Sequence, residues 1–156
     1  MIRRVIAACL LAASLLASAY AQQKPNFTGT WKLNVAKSDF GEDPVPKSRT
    51  DVITHKDPSL TDRVSTEGAK GTQEYTAVYT TDGKEVVNKQ GARELYSIFH
   101  WDGSKLVNDS KLHVNDEDII IKQIWSLSAD GNTITQKVHY NTPEGETDHT
   151  LVYEKH

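Results

Sequence analysis

The residues best suited to hold a small molecule are tyrosines and one arginine. Tyr75 and Tyr79 stand on one parity of an extended run, so their phenols face the same side. Tyr153 shares parity with His149 and Leu151 near the end of the chain. Arg93 opens a run whose two faces read Leu95, Ser97, Phe99 and Trp101 against Tyr96, Ile98 and His100. A phenol offers a broad apolar body with a polar tip, and a guanidinium adds a permanent charge. Together they suit a cavity that seats an amphipathic molecule. The competing reading for each is plain core packing, or exposure on the outer face of a sheet.

Catalytic and metal chemistry are poorly supplied. His55, His100, His113, His139, His149 and His156 form no H-x-H or H-E-x-x-H pattern, and histidines scattered in this way are more often surface residues than ligands. No G-x-S-x-G elbow is present. Asp116-Glu117-Asp118 lacks the alternating oxygens and the glycine of a calcium loop and reads as a solvated hairpin tip. The expectation is therefore no catalytic residue, no metal, no cofactor and no enzyme activity.

The elements that must position these side chains are strands. In Asn26 to Val35, the residues Phe27, Gly29, Trp31, Leu33 and Val35 alternate with Thr28, Thr30, Lys32 and Asn34. A period of two means one dry face and one wet face. Gly29 lies two residues before Trp31, so a missing side chain sits beside a large indole. That pairing suggests a crowded crossing, with Gly29 and Trp31 plugging one end of a closed sheet. Further on the same grammar repeats: Arg49–Lys56, Leu60–Thr66, Gln73–Thr80, Glu85–Lys89, Glu94–Trp101, Lys105–Val114, Asp118–Leu127, Thr133–Tyr140 and Glu146–Lys155 are strand-like. Between them stand Asp82-Gly83, Asp102-Gly103, Asp130-Gly131 and other glycine turns. Asp-Gly between alternating runs signals a hairpin, because glycine accepts the positive φ of a tight turn. Only Ala36–Phe40 has room for a helical turn, and Pro44-Val45-Pro46 marks a loop. The fold class is all-β: a single antiparallel up-and-down β-barrel of about 8–10 strands, since closure removes edges that would pair with other chains.

Gly29-Thr30-Trp31 on the first strand, the serial hairpins and the ending Val152-Tyr153-Glu154-Lys155 resemble the calycin barrels, the lipocalins and the fatty-acid-binding proteins. The opening, from Phe27-Thr28-Gly29-Thr30-Trp31 to Ser38-Asp39-Phe40-Gly41, is also similar to secreted bacterial proteins of lipocalin-like type. The resemblance implies a barrel that binds small apolar molecules. It also marks two departures. Fatty-acid-binding proteins carry a carboxylate-gripping arginine two residues before the last-strand tyrosine, where Leu151 stands here. They also place two helices after the first strand, where the Pro44-Val45-Pro46 loop stands.

Residues 1–21 read as a secretory signal peptide: Arg3 and Arg4, the apolar run Val5–Leu16, then Ala19-Tyr20-Ala21 before a cut ahead of Gln22. The domain is then 22–156. The sole cysteine, Cys9, leaves with the leader, and losing Arg3 and Arg4 takes the formal charge from −3 to −5. The scattered basic residues argue against nucleic acid, and no mature segment is apolar enough for a membrane-spanning helix. The expected protein is a periplasmic or secreted monomer that binds a small hydrophobic or amphipathic molecule, with Tyr75, Tyr79, Arg93 and Tyr153 as candidate contacts. The alternative is a side-chain-filled barrel acting through its outer surface on a protein or a polysaccharide.

Overall fold

The structure is a computed structural model describing residues 24–156. The leader expected at 1–21 lies outside the described residues. Ten strands follow in order: β1 (Gly29–Leu33), β2 (Ser48–Lys56), β3 (Ser59–Gly68), β4 (Gly71–Thr80), β5 (Glu85–Gln90), β6 (Arg93–Asp102), β7 (Lys105–Val114), β8 (Glu117–Leu127), β9 (Thr133–Thr142) and β10 (Gly145–Lys155). All pair antiparallel in one sheet of order β4-β3-β2-β1-β10-β9-β8-β7-β6-β5. The first and last strands meet, with Trp31 opposite Lys155 and Leu33 opposite Tyr153. The sheet wraps into a nearly closed barrel.

Alternation sets the inside. On β3, Leu60, Asp62 and Val64 are buried; on β9, Ile134, Gln136 and Val138 are. The residues between them face outward, as the pleat requires. One end of the barrel is shut by aromatic side chains. Trp31 and Phe27 are both fully buried, and the Trp31 indole N–H donates to the Phe27 carbonyl at 2.8 Å. The Phe27 ring stacks on Trp101 at 6.2 Å and meets the edge of Trp125 at 5.8 Å. Full burial of such a ring stabilises the fold by ~3 kcal/mol.

Between β1 and β2, a 3₁₀ turn at Val35–Lys37 is capped by Asn34, whose side-chain oxygen accepts from Lys37 N–H at 3.1 Å. The chain then bridges to β10 through Asp39 and Thr150 before the proline loop.

The sequence makes all three Asp-Gly pairs hairpin turns, and the structure corrects one. Asp102-Gly103 and Asp130-Gly131 join laddered neighbours, β6 with β7 and β8 with β9. Asp82-Gly83 joins β4 to β5, which lie at opposite ends of the sheet order. Its hydrogen bonds lead away from a hairpin. Gly83 N–H donates to Phe99 O on β6 at 2.9 Å, and Thr81 N–H to Pro58 O beyond β2 at 2.8 Å. Gly83 has a φ of 82°, so glycine's positive dihedral serves a splayed connector there.

Candidate functional site

The barrel encloses a cavity of about 230 Å³. Its closed end lies toward Trp125 and Tyr79; its open end lies toward Gln90, Arg93 and Leu112. Alternation delivers the lining residues from successive strands: Arg49 from β2, Asp62 from β3, Tyr75, Ala77 and Tyr79 from β4, and Tyr140 from β9.

Tyr75 and Tyr79, paired across the sheet with Val64 and Leu60, both line this space. Tyr79 packs on Phe99 with ring centroids 4.7 Å apart. Arg93 also lines it, but stands exposed at the rim, next to the turn that joins β5 to β6. Tyr153 is 1% exposed and is not among the residues that line the cavity. The Arg49 guanidinium lies over its ring at 5.7 Å. Tyr153 belongs to the buried core, and its hydroxyl has no hydrogen-bond partner among the described residues. Gly29 and Trp31 lie at the shut end, where a β-carbon on Gly29 would come within 3.1 Å of Lys155 Cε and 3.3 Å of Trp31 Nε1.

Sequence reasoning missed the interior charges. Arg49 and Asp51 form a two-pronged ion pair, Nε to Oδ1 at 2.8 Å and Nη2 to Oδ2 at 2.9 Å. Asp51 is 1% exposed, and such a charge is tolerated inside only with its partner. Asp62, 5% exposed, has an Oδ1 with no hydrogen-bond partner. Burial, and then the Asp51 carboxylate, push it up to about 8, against a smaller pull from Arg49. Burial also raises the Tyr75 phenol and carries the Tyr79 phenol far above its ordinary range. The signal was present in the sequence: Arg49, Asp51, Ile53 and His55 share one parity, as do Leu60, Asp62 and Val64. Charged residues at inward positions of an alternating run mark an interior polar site.

The facing wall is polar and uncharged. Asn108 Nδ2 donates to Gln123 Oε1 at 3.0 Å, and Ser110 Oγ lies 2.8 Å from both Ser97 Oγ and Asn108 Oδ1. At the shut end, Asp57 accepts from the Thr81 hydroxyl, from Trp101 Nε1 at 2.9 Å and from Lys24 at 3.1 Å. Those bonds, Thr81's first, hold Asp57 down at about 2. His55 accepts the Phe27 N–H on Nδ1 at 3.3 Å, and burial lowers its affinity for a proton. Among the described residues no group of three or more histidine, cysteine or acidic residues is placed to hold a metal.

No protein-family model matches the chain, and no curated protein matches it by sequence. Solved structures do match. One is the zebrafish ileal bile acid-binding protein complexed with cholic acid, at 14% identity and a TM-score of 0.57, over 83% of this chain and 98% of that one. A second is a point mutant of the fluorescent protein UnaG, at 16% identity and a TM-score of 0.56, over 83% and 96%. A third is a secretory abundant heat soluble protein from Ramazzottius varieornatus, at 10% identity and a TM-score of 0.60, over 87% and 99%. At these identities the likeness establishes the fold. The fold they share with this chain is a nearly closed antiparallel β-barrel, here of ten strands.

Proposed function

We propose that this protein binds a small apolar or amphipathic molecule inside its barrel, without catalysis, as a monomer exported to the periplasm or beyond. The observation that carries the reading is the cavity itself. A barrel built only as a surface would fill its interior, whereas here about 230 Å³ stays open, lined by Tyr75, Tyr79 and Tyr140 beside an arginine and an unpaired acid. Ligand pockets commonly run ~300–1,000 Å³, so the occupant is smaller than a sterol. A neighbour in fold whose name declares a small-molecule-binding role, the bile acid-binding protein, adds support. Burial of the ligand's apolar surface at ~25 cal/mol per Å² supplies most of the affinity. The leader motif at 1–21 supports export.

The test is native mass spectrometry of the protein purified from its own host, with a fluorescence titration using 1-anilinonaphthalene-8-sulfonate. A retained small molecule at one per monomer, and saturable dye binding that Tyr79→Ala weakens without unfolding the protein, are expected. A protein that arrives empty and does not bind the dye would remove the reading.

A second reading, contact with a protein or polysaccharide through the outer face, draws on Ile120 and Ile124. Both point outward on β8 and are 39% exposed.

A further inference from the structure

The cavity's charges define what kind of polar end it takes. This inference rests on the binding role just described. Arg49 is the one cation deep in the wall, and it is spent on Asp51 through both prongs of the pair. A ligand carboxylate would have to break that pair and leave Asp51 buried without its partner, a costly exchange. Asp62 is in the opposite condition. It stands on β3, opposite Ala77, midway along the depth between Tyr75 and Tyr79. It lines the cavity, is 5% exposed, and offers an oxygen that nothing in the described protein satisfies. A buried acceptor without a donor is costly, and a ligand that brings the donor recovers that cost.

The groups facing Asp62 leave it that role. From β2 come Asp51 and Arg49, whose charges cancel. From β4 come the neutral phenols of Tyr75 and Tyr79, and from β10 that of Tyr153, whose buried hydroxyl also lacks a partner. Across the cavity, Asn108, Ser110, Gln123 and Gln136 are uncharged. The other cations of the lining, Lys89 and Arg93, are at the solvent-exposed rim on β5 and β6, and Lys89 is held by Glu94 at 2.6 Å. With Asp62 ionised the deep site has a net negative charge, with no cation left over to balance it.

We propose that the barrel seats a small aliphatic amine, its ammonium group against Asp62 and its carbon chain among Tyr79, Leu95, Leu112 and Ile121. When the ammonium enters, Asp62 gives up its proton to solvent and the two groups pair. Binding therefore releases a proton, and affinity rises with pH until the amine itself deprotonates.

Three probes that share a carbon chain separate the possibilities: octylamine, octanoate and octan-1-ol, each read by calorimetry at pH 7. Octylamine is expected to bind at least tenfold more tightly than octanoate, and its affinity to climb between pH 5 and pH 8. Asp62→Asn should bring octylamine down to the level of octan-1-ol and abolish the pH trend. Octanoate binding as well as octylamine would overturn the assignment while leaving the binding role intact. A pH-independent octylamine affinity in the unsubstituted protein would overturn it as well, and that arm stands even if the variant does not fold. Failure of all three probes, together with the dye, would remove the binding role itself.

Discussion

The side chain of Asn88 on β5 hydrogen-bonds both backbone groups of Val78 on β4: Val78 N–H donates to Oδ1 at 2.8 Å, and Nδ2 donates to Val78 O at 2.9 Å. One amide thus imitates a peptide group across the seam where the barrel lacks a ladder. Replacing it with alanine removes that link. Asn88→Ala is expected to lower stability by ~1 kcal/mol and to speed hydrogen exchange at the Val78 amide well beyond its neighbours on β4. Asn88→Asp keeps an acceptor for the amide and should protect it better than alanine does. Unchanged exchange at Val78 in the alanine variant would show that the seam is held by something else.

Arg49 and Asp51 should behave as a unit. Arg49→Met strands a buried carboxylate and is expected to destabilise the protein by ~3–5 kcal/mol. Arg49→Met with Asp51→Leu removes both charges and should recover most of that loss. Urea denaturation of the two single variants and the double one gives the coupling directly. Additive losses would contradict the pairing.

Asp62 and His55 predict opposite pH trends. Asp62 is raised above its unfolded value of 3.8, to about 8. Its contribution is complete below pH 4 and is lost as pH rises toward 8, because the unfolded chain releases the proton first. Asp62→Asn should therefore lie closest to the unsubstituted protein in acid and gain on it progressively up to pH 8. His55 is lowered from 6.5 by burial, so its contribution holds above that value and is lost as pH falls below it. Thermal melts of the protein and of Asp62→Asn, compared from pH 4 to 9, isolate the aspartate. A constant difference between the two across that range would contradict the raised value.

Trp31 closes the barrel both by its bulk and by its bond to Phe27. Trp31→Phe keeps much of the bulk but leaves the buried Phe27 carbonyl without its donor, an expected cost of ~1–3 kcal/mol. Trp31→Ala also opens a void, and ~3–5 kcal/mol is expected. Equal losses in equilibrium unfolding would show that the void adds nothing beyond the lost hydrogen bond, and no loss in Trp31→Phe would show that the bond contributes nothing beyond packing.

The barrel was legible because its signals are local. Alternation in runs such as Leu60–Thr66 and Thr133–Tyr140, with glycine turns between, fixes the strands to within a residue or two of the observed bounds. The placing of Tyr75 and Tyr79 on one shared face follows from the same period, whereas the period alone does not say that this face is the inward one. What stayed hidden depends on partners far apart in sequence. That Asp82-Gly83 would be drawn toward Phe99 and Pro58 is not written in the dipeptide. Nor does Tyr153's own neighbourhood reveal that Arg49 would cover it. Arg49, Asp51 and Asp62 were readable as inward charges, but a search led by aromatic residues passes over them. Gly29 beside Trp31 did point to a crowded spot, which Lys155 and Trp31 occupy.

The strand order places the first and last strands, β1 and β10, side by side in the middle of the sheet, where His156 N–H still reaches Thr30 O at 2.9 Å. The connector at Asp82-Gly83, by contrast, spans the two margins of the same sheet. Splicing the ends and opening the chain at that connector would give a circular permutant whose strands, read from its new start, run in simple neighbour-to-neighbour succession. In the natural order the β1–β10 ladder joins the strands farthest apart in sequence, and such long-range pairing slows folding. The permutant makes that pairing local, and its refolding should be the faster of the two.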